Sequence, residues 1–308
     1  NMWTSKRLLW SKSLVQEVSK SFLHTSQNAK AKRVVLGMSG GVDSSVAAHL
    51  LKSKGFEVIG VFMKNWDIVD EQGICQADKE AEDAEYVCNK LQIPFKHVSF
   101  VKEYWSEVFN KLVEEYEAGL TPNPDVDCNR FIKFGHFHDY CKEHIDCNAI
   151  ATGHYARTSF GDFLEDFRPN QNVQLLIAMD RIKDQTFFLS QVPQEALRST
   201  MFPLGHMTKD VVKKVAISIG LEKIVDKKES MGICFVGKRK SGFQEFLKEY
   251  TQEKPGAIID METYKEVGEH QGCHLWTLGQ GLKIPGKKYK SYVCQKDVEK
   301  NQIYVCYG

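Results

Sequence analysis

The stretch 39–44, Ser-Gly-Gly-Val-Asp-Ser, contains the residue types that bind phosphate groups. An apolar, mostly β-branched run at 34–36 precedes it, and a helical pattern from Val46 follows it. Adjacent glycines let backbone N–H groups turn toward a ligand that approaches closely, and the N-terminus of the next helix adds partial positive charge. No Gly-Lys-Ser/Thr triplet follows, which excludes a Walker A loop. The stretch predicts a phosphate-binding loop; the alternative is an ordinary strand–turn–helix corner.

Two further stretches place a cysteine where it could act as a nucleophile. In residues 121–125, Thr-Pro-Asn-Pro-Asp, the two prolines predict an extended backbone outside any helix. Cys128 follows at the predicted start of a helix, where the helix dipole lowers a thiol pKa. Cys234 lies between Gly232 and Gly237 in a stretch rich in lysine and arginine, and positive charge favours the thiolate. For each cysteine the alternative is a buried structural thiol.

A polar triplet at 183–185, Lys-Asp-Gln, precedes an aromatic and apolar run at 187–189. The apolar run is expected in a core. The polar side chains could contact a polar ligand or could cap a helix, and the sequence leaves both interpretations open.

Residues 34–192 alternate strand-like and helical segments, as a doubly wound α/β domain with a parallel sheet does. The predicted strands are 34–38, 57–63, 95–100 and 148–153, and the predicted helices are 43–54, 77–92, 102–118 and 131–144. Ligands in such sheets bind at the carboxyl ends of the strands. This places the 39–44 loop, Met63 and Gly153 around one crevice.

The pattern changes twice after residue 200. Helical stretches at 207–220 and 242–250 flank a basic segment, and short β runs at 256–260, 274–277 and 303–305 follow. We therefore predict a leader (1–33), a catalytic α/β domain (34–200), a small helical domain (201–255) and the start of a truncated β-barrel domain (256–308).

The predicted leader has the composition of a mitochondrial targeting segment. It holds seven Lys and Arg residues and one acidic residue, Glu17. The alternative is a disordered basic tail. The rest of the chain carries an excess of five acidic residues, so a nucleic-acid partner would need a local basic patch.

The bulk composition indicates a soluble protein of two or three domains: 308 residues, 42% apolar and 26% charged. No apolar run is long enough for a membrane-spanning helix. The nine cysteines include no Cys-x-x-Cys pair, so a structural zinc site or a metal cluster is disfavoured, and we assign no metal-ligating residue. Their irregular spacing is also unlike a secreted disulfide framework and favours a reducing compartment.

Taken in order, these motifs resemble those of the tRNA-specific 2-thiouridylases. The motifs are Ser-Gly-Gly-Val-Asp-Ser (39–44), Thr-Pro-Asn-Pro-Asp (121–125) with Cys128, Ala-Thr-Gly-His-Tyr-Ala-Arg (151–157), Lys-Asp-Gln (183–185) and Gly-Ile-Cys-Phe (232–235). The first motif alone also fits GMP, NAD and argininosuccinate synthetases, whereas the two cysteine motifs are far more specific. The likeness spans about residues 34–305, and with its basic leader the chain is most similar to the mitochondrial form.

The resemblance implies a role for each motif. ATP would lie across ten residues: Gly37, Met38, Ser39, Gly40, Gly41, Val42, Asp43, Ser44, Met63 and Gly153. The target uridine base would contact Asn123, Pro124 and Asp125, and the tRNA would also contact Lys183, Asp184 and Gln185. Cys128 corresponds to the nucleophile and Cys234 to the persulfide carrier, while Asp125 is the candidate acid or base. The 201–255 segment would take part in tRNA binding.

The implied reaction begins with ATP adenylating the C2 oxygen of a wobble uridine. Sulfur then arrives as a persulfide on Cys234. Either the persulfide attacks C2, or Cys128 frees hydrosulfide from it, and both routes leave a Cys128–Cys234 disulfide. The implied cofactors are ATP with magnesium, which would neutralise the phosphates, and persulfide sulfur. The implied partners are tRNA and a sulfur donor, a cysteine desulfurase or relay protein, without a membrane.

Two features depart from the family pattern, and both concern tRNA affinity. Gly281 stands where an arginine is expected, and the family continues beyond the position of Gly308 to complete a barrel. Two other functions remain open: another ATP pyrophosphatase, such as an amidotransferase-type ligase, and a non-catalytic RNA- or adenylate-binding protein. Cys234 beside a basic patch favours sulfur transfer over the ligase, and Asp43 with both cysteines argues against the non-catalytic protein.

Overall fold

The computed structural model describes residues 32–67, 75–227, 242–286 and 289–308. The described residues up to Tyr104, together with those from Asp125 to Phe235, form one unit; Trp105–Pro124 and the described residues from Val236 to Gly308 form the other. The persulfide candidate Cys234 and nearly all of the predicted leader lie outside the described residues.

A five-stranded parallel sheet forms the centre of the first unit. The strands of this unit are β1 (Arg33–Gly37), β2 (Glu57–Lys64), β3 (Phe95–Ser99), β4 (Ala149–Ala151), β5 (Arg157–Thr158), β6 (Leu175–Leu176) and β7 (Thr200–Met201). The sheet order is β3-β2-β1-β4-β7, while β5 and β6 form a separate antiparallel pair. All neighbours in the sheet are parallel. The predicted α/β class is confirmed, and the strand order reverses between β1 and β4, where doubly wound sheets bind ligands.

The α-helices of the described residues are divided between the two units. They are α1 (Val42–Ser53), α2 (Gln76–Leu91), α3 (Val101–Tyr104), α4 (Asn110–Glu117), α5 (Pro124–Asp127), α6 (Phe137–His144), α7 (Gln194–Arg198), α8 (Lys209–Ser218), α9 (Glu222–Val225) and α10 (Gly242–Lys248). Helices α4 and α10 belong to the second unit. Val46 of α1, Val87 of α2 and Val212 of α8 are fully buried with Leu36 of β1. Helix α8 therefore shares the core of the parallel sheet.

The helix predicted over 131–144 begins seven residues earlier than expected. It starts as α5 at Pro124, continues as a π-helix over Cys128–His136 and ends as α6. The prediction that both prolines stay outside a helix is wrong, because proline is tolerated in the first turn, where its missing N–H has no partner to lose. Cys128 consequently lies one turn inside the helix and not at its N-terminus.

The second unit contains a mixed five-stranded sheet. Its strands are β8 (Gly256–Asp260), β9 (Glu266–His270), β10 (Gly281–Leu282), β11 (Ser291–Asp297) and β12 (Gln302–Tyr307). Their order is β10-β11-β12-β8-β9, with β12 and β8 parallel and the other pairs antiparallel. Ile258, Val293, Ile303 and Val305 bury one face of the sheet. The strand-rich character predicted from residue 256 is thus confirmed.

The strand predicted over 274–277 is wrong. Cys273–Leu275 forms a short 3₁₀ turn that is closed by a bond from the Leu275 N–H to the Gly272 carbonyl. All three residues of the turn are buried, whereas a strand at a surface alternates buried and exposed side chains. The division of the chain at residues 34, 201 and 256 stays a prediction.

Candidate functional site

The 39–44 loop connects β1 to α1 and is held in shape by its own hydroxyl groups. The Ser39 N–H donates to the Ser44 Oγ at 3.3 Å, and the Gly41 N–H donates to the Ser39 Oγ at 3.4 Å. The Gly41 carbonyl accepts from the Ser44 and Ser45 hydroxyls at 3.1 and 2.8 Å. The serines therefore fix the start of α1 in a defined orientation toward the loop.

Two glycines are required by close approach of neighbouring backbone. Gly40 has φ of +70°, and a Cβ there would lie 2.6 Å from the Glu80 carbonyl oxygen of α2. A Cβ at Gly153, just after β4, would lie 2.8 Å from the Ser44 nitrogen. Only glycine fits at these positions, and Gly153 lets the end of β4 contact the start of α1.

Gly41 and Gly37 have a different role from Gly40. Gly41 has an ordinary extended backbone (φ −85°, ψ 166°), and its Cβ would meet only the Ser39 hydroxyl, at 3.4 Å. It therefore borders open space. A Cβ at Gly37 would lie 3.1 Å from the Met63 Cε, which places Met63 at the same edge of the sheet.

The carboxylate of Asp43, in the first turn of α1, binds two partners from distant parts of the chain. The Lys209 Nζ donates to its Oδ1 and Oδ2 at 2.9 and 2.7 Å, and the Tyr155 hydroxyl donates to Oδ1 at 2.8 Å. Lys209 and Tyr155 are 8% and 2% exposed. The Asp43 side chain keeps 32% of its surface exposed, so the carboxylate joins a buried cation to the open loop.

The 183–185 triplet is ordered by hydrogen bonds within the first unit. The Asp184 carboxylate accepts from the Ala178 N–H at 2.7 Å and from the Thr186 hydroxyl at 2.6 Å. Gln185 bonds twice to the backbone of Tyr155: its Oε1 accepts the Tyr155 N–H, and its own N–H donates to the Tyr155 carbonyl, both at 2.9 Å. The triplet is thereby fastened to the residue that binds Asp43.

Cys128 is buried, with 4% of its surface exposed. Burial raises the pKa of the Cys128 thiol, and the nearby Lys133 ammonium opposes this increase. Burial also raises the pKa of Asp125, again against Lys133. A π-helix forms backbone bonds between residues five apart, which brings Lys133 onto the face of Cys128. The lowered thiol pKa expected from a helix N-terminus is therefore wrong, because Cys128 lies further inside the helix and is desolvated.

His154 connects the cysteine-bearing helix to the loop. Lys133 Nζ lies 3.4 Å from the His154 Nε2, and the Nδ1 lies 2.8 Å from the Thr152 Oγ1. Burial and Lys133 hold the pKa of His154 well below its usual range, so the ring is neutral at physiological pH. An ammonium can only donate, so the Nε2 accepts and the Nδ1 carries the proton. His154 follows Gly153, which contacts the start of α1.

The structure thus brings together the loop, Met63, Gly153, the Asp125–Cys128 segment and the 183–185 triplet in one unit. Asn123, which is exposed, and Pro124 belong by the division above to the second unit, and Cys234 lies outside the described residues. Sequence reasoning missed Lys209, Tyr155 and Lys133. Tyr155 lies within a quoted motif, and Lys133 lies five residues after Cys128, but no local pattern distinguishes Lys209 from other lysines.

Among the described residues, no group of three or more His, Cys, Asp or Glu side chains could hold a metal ion. In the same part of the chain, no helix combines the length and apolar character that a membrane crossing needs.

Comparisons with known proteins identify both parts of the chain. The family model described as the tRNA methyl transferase HUP domain matches residues 32–238, and the tRNA methyl transferase PRC-barrel domain matches 244–307. The mouse protein named mitochondrial tRNA-specific 2-thiouridylase 1 is 50% identical over 89% of this chain and 69% of its own length.

Relatives from two other organisms have the same or a similar name. The Drosophila melanogaster protein named mitochondrial tRNA-specific 2-thiouridylase 1 is 47% identical over 90% of this chain and 71% of its own. The tRNA-specific 2-thiouridylase MnmA of Malacoplasma penetrans is 46% identical over 89% of this chain and 75% of its own. The chain therefore belongs to the tRNA-specific 2-thiouridylase family, whose members are enzymes that thiolate tRNA.

Proposed function

We propose that this chain catalyses the ATP-dependent 2-thiolation of the wobble uridine of tRNA and releases AMP and pyrophosphate. The observation that carries the proposal is the contact between two kinds of site within one unit. The phosphate-binding loop meets the end of β4 at Gly153, and the next residue, His154, contacts Lys133 beside Cys128. An adenylating site and a sulfur-transfer site that act on the same base require this proximity.

ATP would occupy the loop and its surroundings: Gly37, Met38, Ser39, Gly40, Gly41, Val42, Asp43, Ser44, Met63 and Gly153. Backbone N–H groups at the start of α1 would bind the phosphates. The open space beside Gly41 supports this assignment. So does the Asn65 Oδ1 near the end of β2, which is buried and has no hydrogen-bond partner among the described residues.

Magnesium would be held by the substrate phosphates together with oxygen groups of the loop, namely the Ser39 and Ser44 hydroxyls and the exposed part of the Asp43 carboxylate, which also accepts from Lys209. When bound, it would neutralise charge on the leaving pyrophosphate.

The target base would contact Asn123, Pro124 and Asp125, and the tRNA would also contact Lys183, Asp184 and Gln185. The raised pKa of Asp125 supports an acid or base role, since such a carboxyl holds its proton closer to neutral pH. The basic 201–255 segment would contribute further tRNA contacts.

Sulfur would reach C2 by one of two routes that balance equally. In the first, the terminal sulfur of a Cys234 persulfide attacks C2 and AMP leaves; the Cys128 thiolate then attacks the inner sulfur and breaks the S–S bond. In the second, Cys128 attacks first and frees hydrosulfide, which displaces AMP from C2. Both routes give 2-thiouridine and a Cys128–Cys234 disulfide, which an external thiol must reduce. A cysteine desulfurase or relay protein would load the persulfide.

The activity would take place in mitochondria. The relatives at about 50% identity are named as mitochondrial, and residues 1–33 have the composition of a targeting segment.

Substitutions at the two glycines of the loop should distinguish an effect on fold stability from an effect on ATP use. Gly40→Ala should destabilise the fold by about 2–4 kcal/mol, because it introduces strain at positive φ and a clash with the Glu80 carbonyl. Gly41→Val has an allowed backbone and should fold within about 1 kcal/mol of the parent protein. Its side chain should block the phosphates and reduce tRNA-dependent pyrophosphate release by about 100-fold or more. Denaturant unfolding and a pyrophosphate assay measure both effects, and parental release by Gly41→Val would refute the ATP site.

Replacing each of the two cysteines should block the thiolation reaction at a different step. Cys128→Ser and Cys234→Ser should both release pyrophosphate in the presence of tRNA, because ATP binds elsewhere, and neither should form 2-thiouridine. Cys128→Ser should still accept a persulfide, whereas Cys234→Ser should not. Mass spectrometry of tRNA nucleosides and of the intact protein measures both outcomes. Cys141→Ser, at a buried position in α6, is the control. Thiolation by Cys234→Ser at the parental rate would exclude the persulfide role.

Removal of Lys133 should make Cys128 harder to ionise. Burial raises the Cys128 pKa and Lys133 lowers it, so Lys133→Met should raise it further and move the pH profile of alkylation upward. Peptide mass spectrometry after iodoacetamide treatment follows Cys128 separately from the other cysteines. Arg130→Met, which removes an exposed cation from the same helix, should leave the profile in place. Superimposable profiles for Lys133→Met and the parent would show that Lys133 does not act on the thiol.

Residues 1–33 fused to a fluorescent reporter should direct it into mitochondria. Positive charge drives import of such segments, so a matched leader with Lys6, Arg7, Lys12 and Lys20 changed to Gln should leave the reporter in the cytosol. Fractionation and imaging measure both. Cytosolic retention of the unchanged fusion would contradict the proposed location.

A further inference from the structure

Lys209 is a buried cation at a position that helix stability does not favour. It is the first residue of α8 and is 8% exposed. The positive end of the helix dipole disfavours a cation there, and desolvation of an ammonium group is costly. Its presence therefore requires another explanation.

Its ion pair with Asp43 does not supply that explanation through stability alone. Replacing a buried ion pair by apolar side chains is often neutral or stabilising. The pair does, however, hold the Lys209 ammonium 2.7 Å from a carboxylate on the first turn of the loop helix. Asp43 follows Gly41 by two residues, so the ammonium lies beside the loop that would bind phosphate.

We propose that Lys209 binds the pyrophosphate end of ATP and so acts as a phosphate-binding residue of the adenylation step. The inference rests on the proposed function, since it takes the loop to be the ATP site. Asp43 lies in the first turn of α1, and its carboxylate accepts from the ammonium of Lys209, the first residue of α8. Phosphate groups bound at the N-terminus of α1 would therefore lie beside this ammonium, and a cation next to a helix N-terminus favours the negative charge of a polyphosphate.

The position of Lys209 is set by Asp180. The Asp180 Oδ2 accepts the Lys209 N–H at 2.9 Å, and its Oδ1 accepts the N–H groups of Ile182 and Lys183 at 3.1 and 3.2 Å. The bond from the Lys209 N–H is the main reason that the pKa of Asp180 is low. One carboxylate thus fixes Lys209 relative to the triplet that would contact tRNA.

The test compares a probe that has the pyrophosphate end with one that lacks it. Calorimetric titration of the full chain with α,β-methylene-ATP and with AMP should show that Lys209→Met weakens binding of the ATP analogue by about 10- to 100-fold, the range for a lost bond to a charged group. Affinity for AMP should stay within about two-fold. Lys214→Met, an exposed lysine of the same helix, should bind both probes as the parent does.

If Lys209→Met binds both probes more weakly by the same factor, Lys209 has a structural role. If its affinity for the ATP analogue is unchanged, Lys209 does not contact the phosphates. Either result overturns the inference. If the parent chain itself does not bind the analogue, the proposed function fails first. If Lys209→Met does not fold, the double variant Asp43→Asn/Lys209→Met is compared with Asp43→Asn. The double variant removes both charges of the ion pair and therefore leaves no unpaired buried charge. The double variant should bind the analogue at least about ten-fold more weakly than Asp43→Asn, and equal affinities would reject the contact.

Discussion

The arrangement of the candidate site depends on the hydrogen bonds that the Asp43 carboxylate accepts from Tyr155 and Lys209. This carboxylate joins the first turn of α1 to Tyr155 after β4 and to Lys209 at the start of α8. Through Tyr155 it reaches Gln185, and through Lys209 it reaches Asp180 and the backbone of Lys183. Two independent hydrogen-bonded paths therefore run between the 39–44 loop and the 183–185 triplet. A displacement of the triplet would act on both partners of Asp43, so the loop and the triplet have a physical route for coupling.

The loop itself depends on backbone contacts that tolerate no side chain. Gly40 packs against the backbone of α2 at the Glu80 carbonyl oxygen, and Gly153 packs against the backbone nitrogen of Ser44. These contacts set the position of the α1 N-terminus between β1 and β4, where the strand order of the sheet reverses. Gly41 is different, because a Cβ there would meet no neighbouring backbone and would point into open space. Of two adjacent glycines, one is therefore required by packing and the other is not.

The sequence predicted the features that are encoded locally. The strand at Arg33–Gly37, the glycine loop and α1 follow from a β-branched run, a glycine pair and a helical period within twenty residues. The start of the cysteine-bearing helix at Pro124 is not predicted, because a Pro-x-Pro pattern indicates a break in a helix. The second proline is nevertheless compatible with the first turn of a helix, where its missing N–H has no intrahelical partner. The π-helix leaves no signal in side-chain type. The Asp43–Lys209 pair joins residues 166 positions apart, and only the packing of α8 on α1 reveals it.

The cysteine-bearing helix shows how burial and charge act on one thiol in opposite directions. Desolvation favours the neutral thiol, while the Lys133 ammonium favours the thiolate, and burial strengthens both effects because it lowers the local dielectric. The same ammonium lies against the neutral ring of His154, which keeps a second cation from forming there. An α-helical winding would turn Lys133 away from Cys128, so the π-helical segment is what gives the buried thiol a cationic neighbour. This combination leaves the thiol mostly protonated at rest and makes its ionisation sensitive to any change in the position of Lys133.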